Sequence, residues 1–132
     1  MRKYSHPITC ERLTYSNKPI LVSNGDLFNG QTIKQIAAGE FHNCMLTHKG
    51  CVYSWGLATH GQLGVPKRKG MINKLLDRGG NKIAFKPFHL EYFQVKNVER
   101  ITARRNMSLA FSSEGEVYTW GTFPKGLALQ PA

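Results

Sequence analysis

The feature that most constrains this chain is an internal repeat. Ile33 to Gly56 reads IKQIAAGEFHNCMLTHKGCVYSWG and Val98 to Gly121 reads VERITARRNMSLAFSSEGEVYTWG, and the two align without a gap at an offset of 65 residues. Identical pairs are Ile36/Ile101, Ala38/Ala103, Gly50/Gly115, Val52/Val117, Tyr53/Tyr118, Trp55/Trp120 and Gly56/Gly121, and Gly61/Gly126 continues the match. Self-similarity at a fixed period signals an architecture of stacked units, each of which relies on its neighbours to cover its apolar faces.

Within each copy the pattern is that of β-strands. Ile33 to Ala38 is expected as a first strand, Gly39 to Phe41 as a turn, His42 to Thr47 as a second strand and Cys51 to Trp55 as a third. Gly50 and Gly115 stand where a short hairpin loop needs a positive φ. Period-two alternation puts His42, Cys44 and Leu46 on one face, with Met107, Leu109 and Phe111 as their counterparts, and this face is expected to be buried. The opposite face, Asn43, Met45 and Thr47 against Ser108, Ala110 and Ser112, is smaller and more polar. Position 51 is expected near solvent, because Glu116 is its counterpart.

Between the copies, Met71 to Asp77 reads as one or two helical turns ended by Arg78-Gly79-Gly80, and Pro87 to Phe93 resumes alternation as a fourth strand. Pro19 to Val22 stands in a similar place before the first copy. Four strands per unit, spaced by turns, is the arithmetic of a propeller blade. The expected fold is therefore all-β: a partial β-propeller of about two four-stranded antiparallel blades with a basic insertion between the repeat cores. Its expected divisions are an N-terminal segment at 1–18, a first repeat at 19–64, a basic inserted loop at 65–86 and a second, more divergent repeat at 87–132.

Charge sharpens this division. The formal net charge is +10, and residues 65–97, with eight basic and two acidic side chains, supply +6 of it. A concentrated basic stretch steers acidic surfaces or phosphate toward it. The three cysteines, Cys10, Cys44 and Cys51, form no Cys-x-x-Cys pair, which argues against a disulfide framework and for a reducing, intracellular setting, cytoplasmic or nuclear. Residues 1–15 carry no apolar run of signal-peptide length, and no stretch approaches the about 18 apolar residues of a membrane span.

Taken together, Ala37-Ala38-Gly39-x-x-His42, Leu46-Thr47-x-x-Gly50-x-Val52-Tyr53-x-Trp55-Gly56 and Gly61-Gln62-Leu63-Gly64 resemble the regulator of chromosome condensation repeat. The signature pairs of WD-type and kelch repeats are absent. The resemblance implies four-stranded blades set around an axis, and members that include exchange factors for the small GTPase Ran, nucleosome-docking proteins and ubiquitin-ligase regulatory domains. This sequence departs from the pattern in three ways. The offset of 65 exceeds that family's usual period of about fifty residues, so residues 65–86 look inserted; the second copy replaces Ala-Gly-x-x-His and Gly-Gln-Leu-Gly; and two blades cannot close a ring. The chain is therefore expected to be part of a larger propeller, or to complete itself with further blades or by self-association.

Candidate chemistry is sparse. His42, Cys44, His48 and Cys51 invite a zinc reading, but their repeat counterparts Met107, Leu109, Ser113 and Glu116 do not support it, so no metal and no cofactor are expected. No nucleophile elbow, phosphate loop or paired-carboxylate site is visible, so the chain is not expected to be an enzyme. Partner binding is assigned to Lys67, Arg68, Lys69, Lys74 and Arg78 of the insertion and to the Arg104-Arg105 pair. The expected role is a protein-interaction module whose partner is a small GTPase or another acidic protein. The alternatives are nucleotide exchange on a Ran-like GTPase within a complete propeller, and chromatin or nucleic-acid binding through the basic loop.

Overall fold

A computed structural model describes residues 2–4, 13–22, 28–65, 76–78 and 81–122, and every element in it but one short turn is a strand. Strands β1 (Arg2–Tyr4) and β2 (Leu13–Tyr15) pair antiparallel with each other. The first repeat forms the meander β3 (Ile33–Ala38), β4 (His42–Thr47) and β5 (Val52–Leu57). A hairpin of β6 (Leu76–Arg78) and β7 (Asn81–His89) follows, then a 3-10 turn at Glu91–Phe93. The second repeat forms β8 (Val98–Arg104), β9 (Met107–Ser112) and β10 (Val117–Gly121). The strand orders are β3-β4-β5-β7-β6 and β10-β9-β8, two antiparallel propeller blades that pack through β3 and β4 of the first against β8 of the second.

The Trp-Gly signature has a backbone origin. Gly56 has φ 113° and pairs with His42, and its counterpart Gly121 has φ 105° and pairs with Met107. A Cβ on Gly56 would lie 2.5 Å from the Phe41 carbonyl oxygen, and one on Gly121 would strike that of Asn106. Only glycine tolerates both the dihedral and the approach, so the residue recurs with the fold.

The repeat also extends further back than the matched strands. Phe28 and Phe93 are offset by the same 65 residues, and each packs edge-on against the tyrosine of its own blade: Phe28 on Tyr53 at 4.9 Å and Phe93 on Tyr118 at 5.4 Å. Each aromatic plugs the side of its sheet away from the following blade. On the first blade, Thr47 adds a 2.7 Å hydrogen bond to Gln31 Oε1 on that side.

Several sequence expectations need correction. Leu76 and Asp77 are in a strand, not a helical turn, and residues 81–86 continue as strand, so part of the expected loop is a hairpin built onto the first sheet. Residues 71–75 lie outside the described residues. The fourth strand is Asn81–His89 and stops before the 3-10 turn. It pairs with β5, through Tyr53↔His89 and Leu57↔Ile83, and so completes the first blade instead of opening the second. The first sheet thus has five strands; the second has three among the described residues. Pro19 to Val22 form no strand.

The burial of the second blade also differs from expectation. Met107, Leu109 and Phe111 are only half-buried, whereas Ser108, Ala110 and Ser112 on the other face are buried. The cause is the neighbour. The His42-Cys44-Leu46 face packs on the second blade, while its counterpart has no blade beyond it among the described residues. Identical residues act as internal controls: Ile101 is 2% exposed and Ile36 69%, and Val52 is 0% exposed and Val117 59%. Same side chain and same place in the repeat, yet opposite fates. The core is accordingly the joint between blades, where Cys44, Leu46 and Val52 meet Leu90, Phe93, Val98, Ile101 and Ala110.

Candidate interaction surface

The buried polar groups are concentrated in that joint. His42 Nε2 lies 2.7 Å from Ser108 Oγ, which is also 3.2 Å from the Gln62 carbonyl oxygen and 3.6 Å from the Cys44 sulfur. Gln35 Oε1 accepts a 2.8 Å bond from the Ile101 backbone N–H, and the Glu40 N–H donates to the Arg105 carbonyl at 2.9 Å. These bonds tie β3 and the β3–β4 turn of one blade to β8 and the β8–β9 turn of the next. Gly39 makes the approach feasible, since a Cβ there would strike the His42 ring and lie 2.5 Å from the Arg105 carbonyl oxygen. The Gly-x-x-His spacing is thus a packing device, and the copy that lacks the histidine also lacks the glycine.

Burial holds the His42 imidazole below its ordinary pKa, so the neutral ring is favoured. The Arg105 carbonyl opposes this in part, although Nδ1 itself makes no hydrogen bond of ordinary geometry. Burial likewise pushes the Cys44 thiol up to about 11, against the pull of Ser108, which makes it a poor nucleophile. Of the zinc-like set, His42 and Cys44 lie in the joint, His48 is exposed in the β4–β5 turn and Cys51 is half-buried. Among the described residues no three His, Cys, Asp or Glu side chains come together as a metal site, and no helix is long and apolar enough to cross a membrane.

The surface is organised by the direction of the strands. At one end of the blades the β3–β4 turn meets the β8–β9 turn, through Glu40 and Arg105. The end of β5 joins them, because the Leu57 N–H donates to the Phe41 carbonyl at 2.8 Å. The β6–β7 hairpin emerges from this same end, with Leu57 paired to Ile83 and the Ala58 N–H bonded to the Lys82 carbonyl at 2.7 Å. Thr122 closes the group, its hydroxyl donating to the His60 carbonyl at 2.9 Å. Of the residues assigned to partner binding from sequence, Arg104 and Arg105 are exposed at this end, and Arg78 lies on β6 of the hairpin, paired with Asn81. Lys67, Arg68, Lys69 and Lys74 lie outside the described residues. Arg105 has φ 51°, a left-handed conformation uncommon for a side chain of its kind, held in place by the bond its carbonyl accepts from Glu40.

A concave feature elsewhere was not anticipated from the sequence. A groove of about 510 Å³ runs between the blades, lined by Phe88, Leu90, Tyr92, Phe93, Tyr118 and Trp120 among others. Lys96 Nζ stands 5.4 Å from the Tyr92 ring centre and 5.9 Å from that of Tyr118. The only sequence signal for it was the recurrence of Tyr-x-Trp, which marks packing positions equally well.

Comparison with known proteins matches this geometry. The Regulator of chromosome condensation (RCC1) repeat model matches residues 33–62 and, in a second frame, 49–111. The second frame runs from the turn before β5 into β9, across the joint. Protein RCC1 of Candida albicans is 30% identical over 96 residues, covering 73% of this chain and 19% of that protein. Protein pim1 of Schizosaccharomyces pombe is 31% identical over 109 residues, covering 80% and 19%. Among solved structures, Prp20p of Saccharomyces cerevisiae, described with its binding properties to Gsp1p and histones, has a TM-score of 0.61 and 26% identity over 85% of this chain and 23% of its own. This chain spans about a fifth of the length of the curated relatives it matches.

Proposed function

Because this chain belongs to the regulator of chromosome condensation repeat family, we propose that it is a non-enzymatic protein-interaction module whose propeller blades present a basic end to an acidic protein surface. The observation that carries this reading is the convergence of the β6–β7 hairpin and the exposed Arg104-Arg105 turn at one end of the two blades. The blades supply a rigid base through their joint, and exposed turns on a rigid base are where recognition residues gather. The buried His42, Cys44 and Ser108 are committed to that joint, so they contribute to shape and not to chemistry on a bound molecule.

Binding of the purified chain to Gsp1p, a partner named for the yeast relative, tests the reading. A variant carrying Arg104→Glu and Arg105→Glu should bind at least about tenfold more weakly, with an unchanged circular dichroism spectrum. Equal binding by variant and wild type would remove the basic end from consideration. Tighter binding to duplex DNA than to Gsp1p, with a DNA affinity that falls steeply with salt, would favour nucleic acid instead.

The likeness to Prp20p supports a second reading, nucleotide exchange on a small GTPase by these blades within a complete propeller. Release of a fluorescent nucleotide from Gsp1p, with and without the chain, separates exchange from simple binding.

A further inference from the structure

The Arg104-Arg105 turn is held from two sides. Arg104 pairs with Met107, so only Arg105 and Asn106 make the turn from β8 to β9. The Asn106 carbonyl is fixed within its own blade, by a 3.0 Å bond from the Thr122 N–H. The Arg105 carbonyl is fixed from the neighbouring blade instead, by the 2.9 Å bond from the Glu40 N–H. Arg105 needs that hold, because its φ of 51° is a left-handed conformation that a side chain with a Cβ disfavours. A carbonyl oxygen has two lone pairs, and the Glu40 bond uses one. The other has the His42 ring for a neighbour, since a Cβ placed on Gly39 would meet Nδ1 of that ring and the Arg105 oxygen at once.

The hydrogen bonds around the ring say which nitrogen carries the proton. Nε2 lies 2.7 Å from Ser108 Oγ, while the rival acceptor for the Ser108 hydroxyl, the Gln62 carbonyl, is 3.2 Å away. The hydroxyl proton goes to the nearer atom, and the Cys44 thiol, at 3.6 Å, donates to the oxygen. Nε2 is then an acceptor, and in the neutral ring that burial favours the proton sits on Nδ1. The opposite tautomer would set a bare Nδ1 lone pair against the Arg105 carbonyl in a place closed to water, where no other hydrogen-bond partner reaches it.

We propose that His42 is a positioning residue for partner binding: through Nδ1–H it steadies the Arg105 carbonyl across the blade joint, and so fixes the backbone from which the Arg104 and Arg105 side chains leave. This rests on the reading of the basic end as the partner-binding surface. Fixing the turn before a partner arrives lowers the ordering cost of binding. Gly39 belongs to the same device, because it leaves the room in which ring and carbonyl meet. The second repeat has Arg104 and Met107 in those two places and carries no copy of it.

His42→Asn and His42→Gln separate the two ring nitrogens. An Asn amide nitrogen falls near the place of Nδ1 and a Gln amide nitrogen near that of Nε2. Asn therefore keeps a donor for the Arg105 carbonyl, and Gln keeps the link to Ser108. Binding to Gsp1p, measured well below each variant's unfolding midpoint, should weaken about threefold to tenfold in His42→Gln and stay near wild type in His42→Asn. Hydrogen exchange gives a reading that needs no partner. The Glu40 amide, bonded to the same carbonyl, should exchange faster in His42→Gln but not in His42→Asn, relative to the Leu90 amide, which bonds to the Val52 carbonyl. NMR of nitrogen-labelled histidine needs no variant, and in the wild-type chain His42 should carry its proton on Nδ1. A proton on Nε2 overturns the proposal, as does a His42→Asn chain whose Glu40 amide behaves like that of His42→Gln. If Arg104→Glu with Arg105→Glu weakens binding and His42→Gln does not, the ring does not position the turn. If that charge-reversed chain binds as the wild type does, the reading of the basic end fails by itself, and the Glu40 amide still decides whether His42 holds the turn.

Discussion

Replacing Ile101 and Ile36 by alanine, one at a time, measures what the blade joint contributes to stability. The two residues share a side chain and a place in the repeat, and differ in exposure, 2% against 69%. Burying an isoleucine side chain fully is worth about 1.5–3 kcal/mol in transfer free energy, and Ile36 realises about a third of that within one copy. Ile101→Ala also opens a cavity between the Cys44-Leu46-Val52 face and Ala110, which raises its expected cost to about 2–4 kcal/mol. Ile36→Ala should cost about 0.5 kcal/mol. Urea unfolding reads both, with Trp55 and Trp120 reporting from one blade each. At an m-value of about 2 kcal/mol/M, Ile101→Ala lowers the midpoint by about 1–2 M and Ile36→Ala by a few tenths. Equal losses at the two sites, or a cost under about 1 kcal/mol at Ile101, would refute the joint as the main source of stability.

Three further outcomes follow from particular residues. His42 titrates below its ordinary value in the fold, so the unfolded chain takes up the proton first. Stability is then complete above about pH 6.5 and declines as pH falls from there toward the lowered folded value; His42→Gln should flatten that slope in urea titrations, and an unchanged slope would assign it to other groups. Cys44, with its pKa at about 11 and no exposed surface, should resist iodoacetamide in the native chain while the half-buried Cys51 reacts; peptide mapping that finds Cys44 labelled first would contradict the buried joint. Gly56→Ala combines a positive φ with a clash and should cost about 2–4 kcal/mol, whereas Gly115→Ala, at φ 85° with open space around it, should cost about 1 kcal/mol; thermal melts that rank them the other way would undo the explanation of the Trp-Gly signature.

Local order was legible in the amino acids. The strand bounds read at 33–38 and 42–47 match β3 and β4 residue for residue, because strand-forming pattern is a local property of the chain. Gly50 and Gly115 marked their turns, at φ 86° and 85°, because steric limits on φ act within one residue. The candidate surface was legible only in part. Arg104-Arg105 stood out as a charge pair, but nothing local tells that its turn meets Glu40 or shares an end with the β6–β7 hairpin.

What the sequence by itself determined is the repeated core of three strands, its turns and the aromatic and glycine positions that recur from one blade to the other. Tertiary structure alone decided which face of each unit is interior. Met107, Leu109 and Phe111 carry as strong an apolar pattern as Cys44 and Leu46, yet remain half-buried, because burial requires a neighbouring surface that alternation cannot supply. The same holds for β7, which follows the first repeat by a long insertion and still pairs with β5, since edge backbone groups select a partner by proximity in space.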